Sequence, residues 1–296
     1  MKQQKEILPT NILPINYSLY FEPQPEKNQF IGKTIIDLEC KYPTNELILN
    51  MIRMKNIKAT IINKNTNDNT ENIKELSYRE NTEKEQIIFT DYSFEKGFYQ
   101  ITIEYIGELK KEELVGYYQS IYEIDGVTKT ICSTQCCSAF ARRIFPCFDE
   151  PNIKATFEIS LNVPKEDQCF SNMPIESIKT IKSTEQLEQS QPNQINHQER
   201  KLVTFQKSVK MSTYLVCFVH GEFESYTDIT DNGIQLSLNF PKNYKNVSRF
   251  ALNVMKKCLM LYEKTFNIPY PLPKCDWIAI PNFYYGAMEN WGIWFY

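Results

Sequence analysis

The run Gly286-Ala287-Met288-Glu289-Asn290, within "PNFYYGAMENWGIWFY" (281 to 296), holds the residue types best suited to recognition chemistry. Gly286 has no side chain, so a ligand backbone can come close to the main chain there. An extended peptide could add alongside as an extra strand, its own main chain pairing with this edge. Glu289 offers an anion suited to an ammonium group, and Asn290 can brace the loop through its amide. The same residues also read as a plain Gly-Ala turn before a strand, and both readings stand at this point.

Other reactive types are sparse. The chain has two histidines, His197 and His220. Nine cysteines, an odd number scattered from Cys40 to Cys275, do not make a disulfide framework. Cys132, Cys136 and Cys137 cluster, and a metal site there is conceivable. Their spacing is not the two-residue zinc knuckle, so buried, inert thiols are expected.

The elements that must position the 286–290 run follow from periodicity. Ile15, Tyr17, Leu19 and Phe21 would share one face of a strand, as would Thr34, Ile36, Leu38 and Cys40. Leu47, Leu49 and Met51 repeat the pattern, then Tyr99, Ile101, Ile103 and Tyr105. Ala155, Phe157, Ile159, Leu161 and Val163 give the cleanest alternation. Many short strands with Asn-, Pro- and Gly-bearing connections predict an antiparallel sandwich or saddle rather than a βαβ fold. Two polar stretches, from Asn63 and from Ser183, lack apolar periodicity and read as exposed loops.

The character changes after "VCFVHGEFESY". Asp231-Asn232-Gly233 signals a turn between two short strands. From Val247 to Phe266 the residues Ala251, Val254, Met255, Cys258 and Tyr262 fall at helical spacing. Pro269, Pro271 and Pro273 forbid continuation, and "CDWIAI" reads as a short buried strand leading into the final loop. A domain boundary is expected near residue 227, separating 1–226 from 227–296.

The totals bound the function classes. A chain of 296 residues, 42% hydrophobic and 13% aromatic, can build real cores. Its charge, 33 − 36 = −3, predicts no strong pull toward nucleic acid or an anionic membrane. The start lacks an apolar stretch of signal-peptide length, and no run is long enough to span a bilayer. A soluble, cytoplasmic protein with reduced thiols is the expectation.

"GAMENWG" at 286 to 292 resembles the exopeptidase signature of the zinc aminopeptidases related to aminopeptidase N and puromycin-sensitive aminopeptidase. "LPTNILPINYSLYF", "GYYQSIY" (116 to 122) and "FARRIFPCFDEPNIKATFEISLNVP" (140 to 164) are similar to that family's N-terminal blocks. "SNMP" (171 to 174), "KMSTYLVCFVHGEFE" and "YPLPKCDWIAIPNF" continue in family order. The resemblance implies a mainly β chain: a saddle-shaped antiparallel β-sandwich, then the start of a thermolysin-like α/β catalytic domain. It implies that Gly286 and Ala287 bind a peptide backbone, within the signature that also holds Met288 and Asn290. Glu289 would bind the substrate's free α-amino group, and Gln135 would face the substrate as well. Arg142, Arg143, Asp149 and Glu150 are expected to be turn and ion-pair residues.

The family's chemistry needs zinc, held by two histidines four residues apart on a helix and a glutamate further on. Neither His197 nor His220 sits in that pattern, so this chain is expected to bind no metal and to lack catalytic residues. Peptides with a free N-terminus are the implied ligands. The missing catalytic part, or a protein partner, would complete the chain. A catalytically dead paralogue serving as a binding or structural subunit is the alternative. Two departures bear on substrate: Cys137 stands where the family commonly has an acidic or amide residue, and Tyr284 and Tyr285 where many members carry small ones.

Overall fold

The computed structural model describes residues 7–65, 73–111, 113–181, 199–245 and 247–296. His197 and most of the polar stretches begun at Asn63 and Ser183 lie outside them. Packing divides the chain into two compact units, neither a continuous run: 1–117 with 135–160 and 207–216, then 118–134 with 161–206 and 217–296.

The first unit is built on long antiparallel ladders. β1 (Ile12–Gln24) pairs with β2 (Gln29–Cys40) from Ile12↔Cys40 to Gln24↔Gln29. After β3 (Leu47–Asn50) come β4 (Met54–Asn63), β5 (Lys74–Glu75), β6 (Tyr78–Asn81), β7 (Gln86–Phe89) and β8 (Gly97–Glu108). β1, β2, β8, β4 and β5 lie side by side in that order, and β3, β7 and β6 form a smaller sheet. Tyr17, Leu19, Phe21, Thr34, Ile36, Leu38, Tyr99, Ile101, Ile103 and Tyr105 are all buried. Aromatic rings fill this core: Tyr17 stacks on Phe157 at 5.0 Å, and Phe30 meets Phe21 and Tyr117 edge-on.

Ile15 does not join that face; it is 44% exposed. The β1–β2 register shifts between Pro14 and Asn16, so one extra residue sits in β1 and the alternation restarts at Asn16. A bulge of this kind turns a side chain outward, which a strict period of two cannot anticipate.

The second unit takes in β9 (Gly116–Ile124) from Tyr118 onward and β10 (Val127–Gln135) as far as Thr134. β11 (Thr156–Pro164) runs from the first unit into the second. β12 (Gln168–Ser171), the hairpin β13 (Ile175–Ile181)–β14 (Arg200–Phe205) and β15 (Phe218–Gly221) follow. One sheet has the order β12-β15-β10-β9. The other, β16 (Phe223–Ile229), β17 (Gln235–Pro241), β18 (Lys274–Ile278) and β19 (Ile293–Phe295), is antiparallel across β16–β17 and parallel thereafter. Parallel pairing needs a crossover, and helix α1 (Phe250–Phe266) supplies it between β17 and β18. The fold is thus mainly β with a short α/β portion at its end.

α1 buries part of the set its spacing picks out: Met255 is inside and Ala251 packs against the same core. Leu252, Met255 and Leu259 are buried against Leu236, Leu238, Phe240 and Cys275. Val254 and Tyr262 are 37% and 52% exposed. The helix is apolar on more than one side: Phe250, Leu261 and Phe266 also face out. Periodicity alone therefore does not choose among its faces; the sheet beneath does.

His220, on β15, is 3% exposed and stands opposite Cys132 on β10 and Cys169 on β12. Its Nδ1 lies 2.6 Å from Asp167 Oδ2. Burial by itself disfavours the charged ring. The Cys132 sulfur and hydrogen bonding with Asp167 outweigh it and raise the pKa to about 10. A group whose folded pKa lies above its unfolded value stabilises fully below the unfolded value, about 6.5 for histidine. That contribution declines as the pH climbs and is gone above the folded value. The stability difference between the natural chain and His220→Gln, from urea unfolding at pH 6, 8 and 9.5, should shrink with rising pH. A difference that is flat or grows would refute the charged pair.

Candidate functional site

The loop between β18 and β19 carries the candidate site, and its backbone is tied down at several points. Near its start, Ser120 Oγ donates to the Pro281 carbonyl and Asn282 Nδ2 to the Ile121 carbonyl, both partners being on β9. Further on, Met288 and Phe295 exchange both main-chain hydrogen bonds, at 3.0 and 3.1 Å. Ile293 N–H closes a turn onto the Asn290 carbonyl at 3.1 Å.

This short bridge sets which way the side chains point. Met288 and Asn290 are 4% and 1% exposed, whereas Ala287 and Glu289 face solvent. In an antiparallel pair, residues beside a mutually bonded one turn their main-chain groups to the opposite side. The peptide groups at 287 and 289 are therefore directed along the free edge, the side where an added strand would pair. Gly286 has φ +75°, and a Cβ there would meet nothing within 4 Å. Beside it lies a pocket of about 160 Å³ lined by Ala287, Met288, Glu289, Trp294 and Tyr296. The arrangement is an open backbone edge with one outward carboxylate, able to pair with an extended chain and to face a cation.

Asn290 plays a different part from the one its type predicts. Its main-chain carbonyl, not its amide, braces the turn; among the described residues its buried Nδ2 has no hydrogen-bond partner. Tyr284 and Tyr285 are 84% and 50% exposed. Gln135 ends β10 and is 3% exposed; Cys137 is half-buried. Both belong to the first unit and the loop to the second. Arg142, Arg143, Asp149 and Glu150 are ion-pair and hydrogen-bond residues, with Arg142 on Asp149 at 3.0 Å and Arg143 on Glu113 at 2.8 Å.

Residue types alone did not mark the side chains that hold the far end of the loop. Asn172 Nδ2 donates to the Trp291 carbonyl at 2.9 Å while its Oδ1 accepts from Cys217 N–H. The Gly292 carbonyl accepts from Asp276 N–H at 3.0 Å and Lys274 Nζ at 2.9 Å. Two charges at alternate positions of an otherwise apolar strand were the available signal, because such groups are rarely buried unpaired.

Among the described residues, a zinc ion of the kind the resemblance implies finds no set of ligands: no three His, Cys, Asp or Glu side chains converge to hold a metal. His220 is engaged by Asp167, Cys132 faces it across the sheet, and no disulfide links the nine cysteines.

Residues 13–215 match the Peptidase M1 N-terminal domain, and residues 250–296 match the Peptidase family M1 domain. Glutamyl aminopeptidase of Bos taurus is 33% identical over 292 residues, 97% of this chain and 28% of that protein. Endoplasmic reticulum aminopeptidase 1 of Homo sapiens is 34% identical over 97% of this chain and 29% of its own length. Alanine/arginine aminopeptidase of Saccharomyces cerevisiae is 32% identical, over 98% of this chain and 31% of its own. The chain thus spans less than a third of the length of these relatives. It belongs to the M1 family of zinc aminopeptidases, and what it carries is that family's N-terminal domain and the start of its catalytic domain.

Proposed function

We propose that this chain is the N-terminal and substrate-binding portion of a zinc metallo-aminopeptidase that removes N-terminal residues from peptides. Residues 1–226 form the β domain in this reading, and 227–296 begin the catalytic domain. The loop holds the peptide: its free edge pairs with the backbone, and the Glu289 carboxylate faces the α-ammonium. The alternation within the loop carries the reading, since Met288 and Asn290 are pinned inside while Glu289 stands out beside the open Gly286. Gln135 and the acid-to-thiol change at Cys137 belong to the same proposal on the resemblance alone. With no metal-holding cluster among its described residues, the chain by itself binds peptide and does not cleave it.

Titration of the ¹⁵N-labelled chain with L-alaninamide and N-acetyl-L-alaninamide tests this. The free amine should shift the Gly286 to Glu289 amide signals, and the acetylated compound should not. A hydrogen bond to a charged group contributes roughly 1.5 to 3 kcal/mol, so Glu289→Gln should weaken amine binding roughly ten- to a hundredfold. Equal response to the two compounds would sink the reading.

A further inference from the structure

A buried polar side chain is costly unless every one of its groups is satisfied. One continuous run of hydrogen-bonded polar side chains, from an exposed Ser225 through a half-buried Ser237 to buried Asn239, Asp276 and Lys274, crosses three strands of the second unit. Ser225 Oγ on β16 donates to Asn239 Oδ1 on β17 at 2.6 Å. Asn239 Nδ2 donates to Ser237 Oγ at 2.7 Å, and Ser237 Oγ to Asp276 Oδ1 on β18 at 2.6 Å. The other carboxylate oxygen, Oδ2, lies 2.6 Å from Lys274 Nζ. That ammonium also donates to the Ser171 carbonyl at 2.7 Å and the Gly292 carbonyl at 2.9 Å.

The pattern follows from strand geometry. Ser237 and Asp276 are paired in register, and residues two apart on a strand share a face. Asn239, Lys274 and Asp276 are 0%, 7% and 8% exposed. A lysine has three protons to donate, and here three acceptors take them. Each hydroxyl or amide from Ser225 onward points its proton toward the carboxylate, an alignment in which each bond polarises the next.

Stability does not explain an ion pair at this place, because well-packed apolar residues of similar volume generally stabilise as well or better. Position does. The Gly292 carbonyl, three residues after Glu289, takes both Lys274 Nζ and Asp276 N–H. Asn172 fixes the Trp291 carbonyl next to it.

We propose that Lys274 is the positioning residue of the 286–292 loop: its ammonium, aimed by the Asp276–Ser237–Asn239–Ser225 chain, sets where the Glu289 carboxylate stands. The inference rests on the amine-binding reading of that loop, but its geometric part can be read without any ligand. The test compares the purified chain with Lys274→Met, Ser237→Ala and Ser237→Thr. Its readouts are the amide signals of residues 286 to 292, the melting temperature, and the affinity for L-alaninamide.

Ser237→Ala should keep the fold and the melting temperature within a few degrees. It should shift the loop amides and weaken L-alaninamide binding several-fold, and Ser237→Thr, which keeps the hydroxyl, should restore both. Lys274→Met should produce larger changes of the same kind; if it does not fold, the Ser237 pair decides. Loop amides at their natural positions in Ser237→Ala, or a shift that Ser237→Thr does not reverse, would overturn the proposal. If the amides shift and return as expected while even the natural chain fails to prefer L-alaninamide over its acetylated form, positioning stands and the amine-binding reading falls.

Discussion

Gly292→Ala should destabilise the protein by about 3 kcal/mol, whereas Gly286→Ala should cost about 1 kcal/mol. Both glycines have positive φ, +84° and +75°, so each substitution incurs left-handed backbone strain. The surroundings separate them. A Cβ on Gly292 would lie 2.3 Å from the Asn172 carbonyl oxygen and 3.0 Å from Leu272 Cδ1. The Asn172 backbone has little room to yield, because its side chain is bonded on both sides, to Cys217 N–H and the Trp291 carbonyl. A Cβ on Gly286 meets nothing within 4 Å. Urea unfolding of the two variants checks this, and similar losses would show that the close approach at Gly292 carries no weight. The amine test separates them in the opposite sense, because a methyl group on Gly286 occupies the space the peptide backbone would use.

Asp149→Ala should cost about 3 to 5 kcal/mol, the range for removing one partner of a buried, hydrogen-bonded pair. Asp149 is 4% exposed and accepts from Thr213 Oγ1 at 2.8 Å and from Arg142 Nε at 3.0 Å. Its own N–H donates to Asn50 Oδ1. Removing the carboxylate leaves the Arg142 side chain, 16% exposed, with Glu85 as its remaining carboxylate partner, and leaves the Thr213 hydroxyl without this acceptor. Asp149→Asn keeps an acceptor of the same shape and should cost less. Lys33–Glu104 serves as the control: the side chains are 43% and 54% exposed, and Glu104→Ala should cost under about 1 kcal/mol. Equal losses for Asp149→Ala and Glu104→Ala in urea unfolding would contradict the difference that burial predicts.

The strands of the first unit were legible because their signal is local. A strand with one face in the core must alternate, and the run from Ala155 to Val163 is buried at every second residue, as its spelling predicts. Of the loop, the sequence showed only the residue types, a glycine without a side chain at 286 and a carboxylate at 289. Its orientation was not legible, because the inward turn of Met288 and Asn290 depends on Met288 meeting Phe295.

Other features depend on partners the local sequence does not contain. Ile15 points outward because of how β1 registers against β2. α1 is apolar on several sides, and the sheet beneath it selected Leu252, Met255 and Leu259. Lys274 reads as an ordinary charge until its acceptors are known, and one of them, Ser171, lies 103 residues away. Gly292 likewise reads as one more glycine until the Asn172 carbonyl is seen against it. The sequence by itself determined the β architecture, the family and the chemistry available at 286–290, because periodicity and residue type are properties of short stretches. Tertiary structure alone decided which side of α1 is buried, where Ile15 points and what holds the loop, because hydrogen bonds and close packing act between atoms the fold brings together from far apart in the chain.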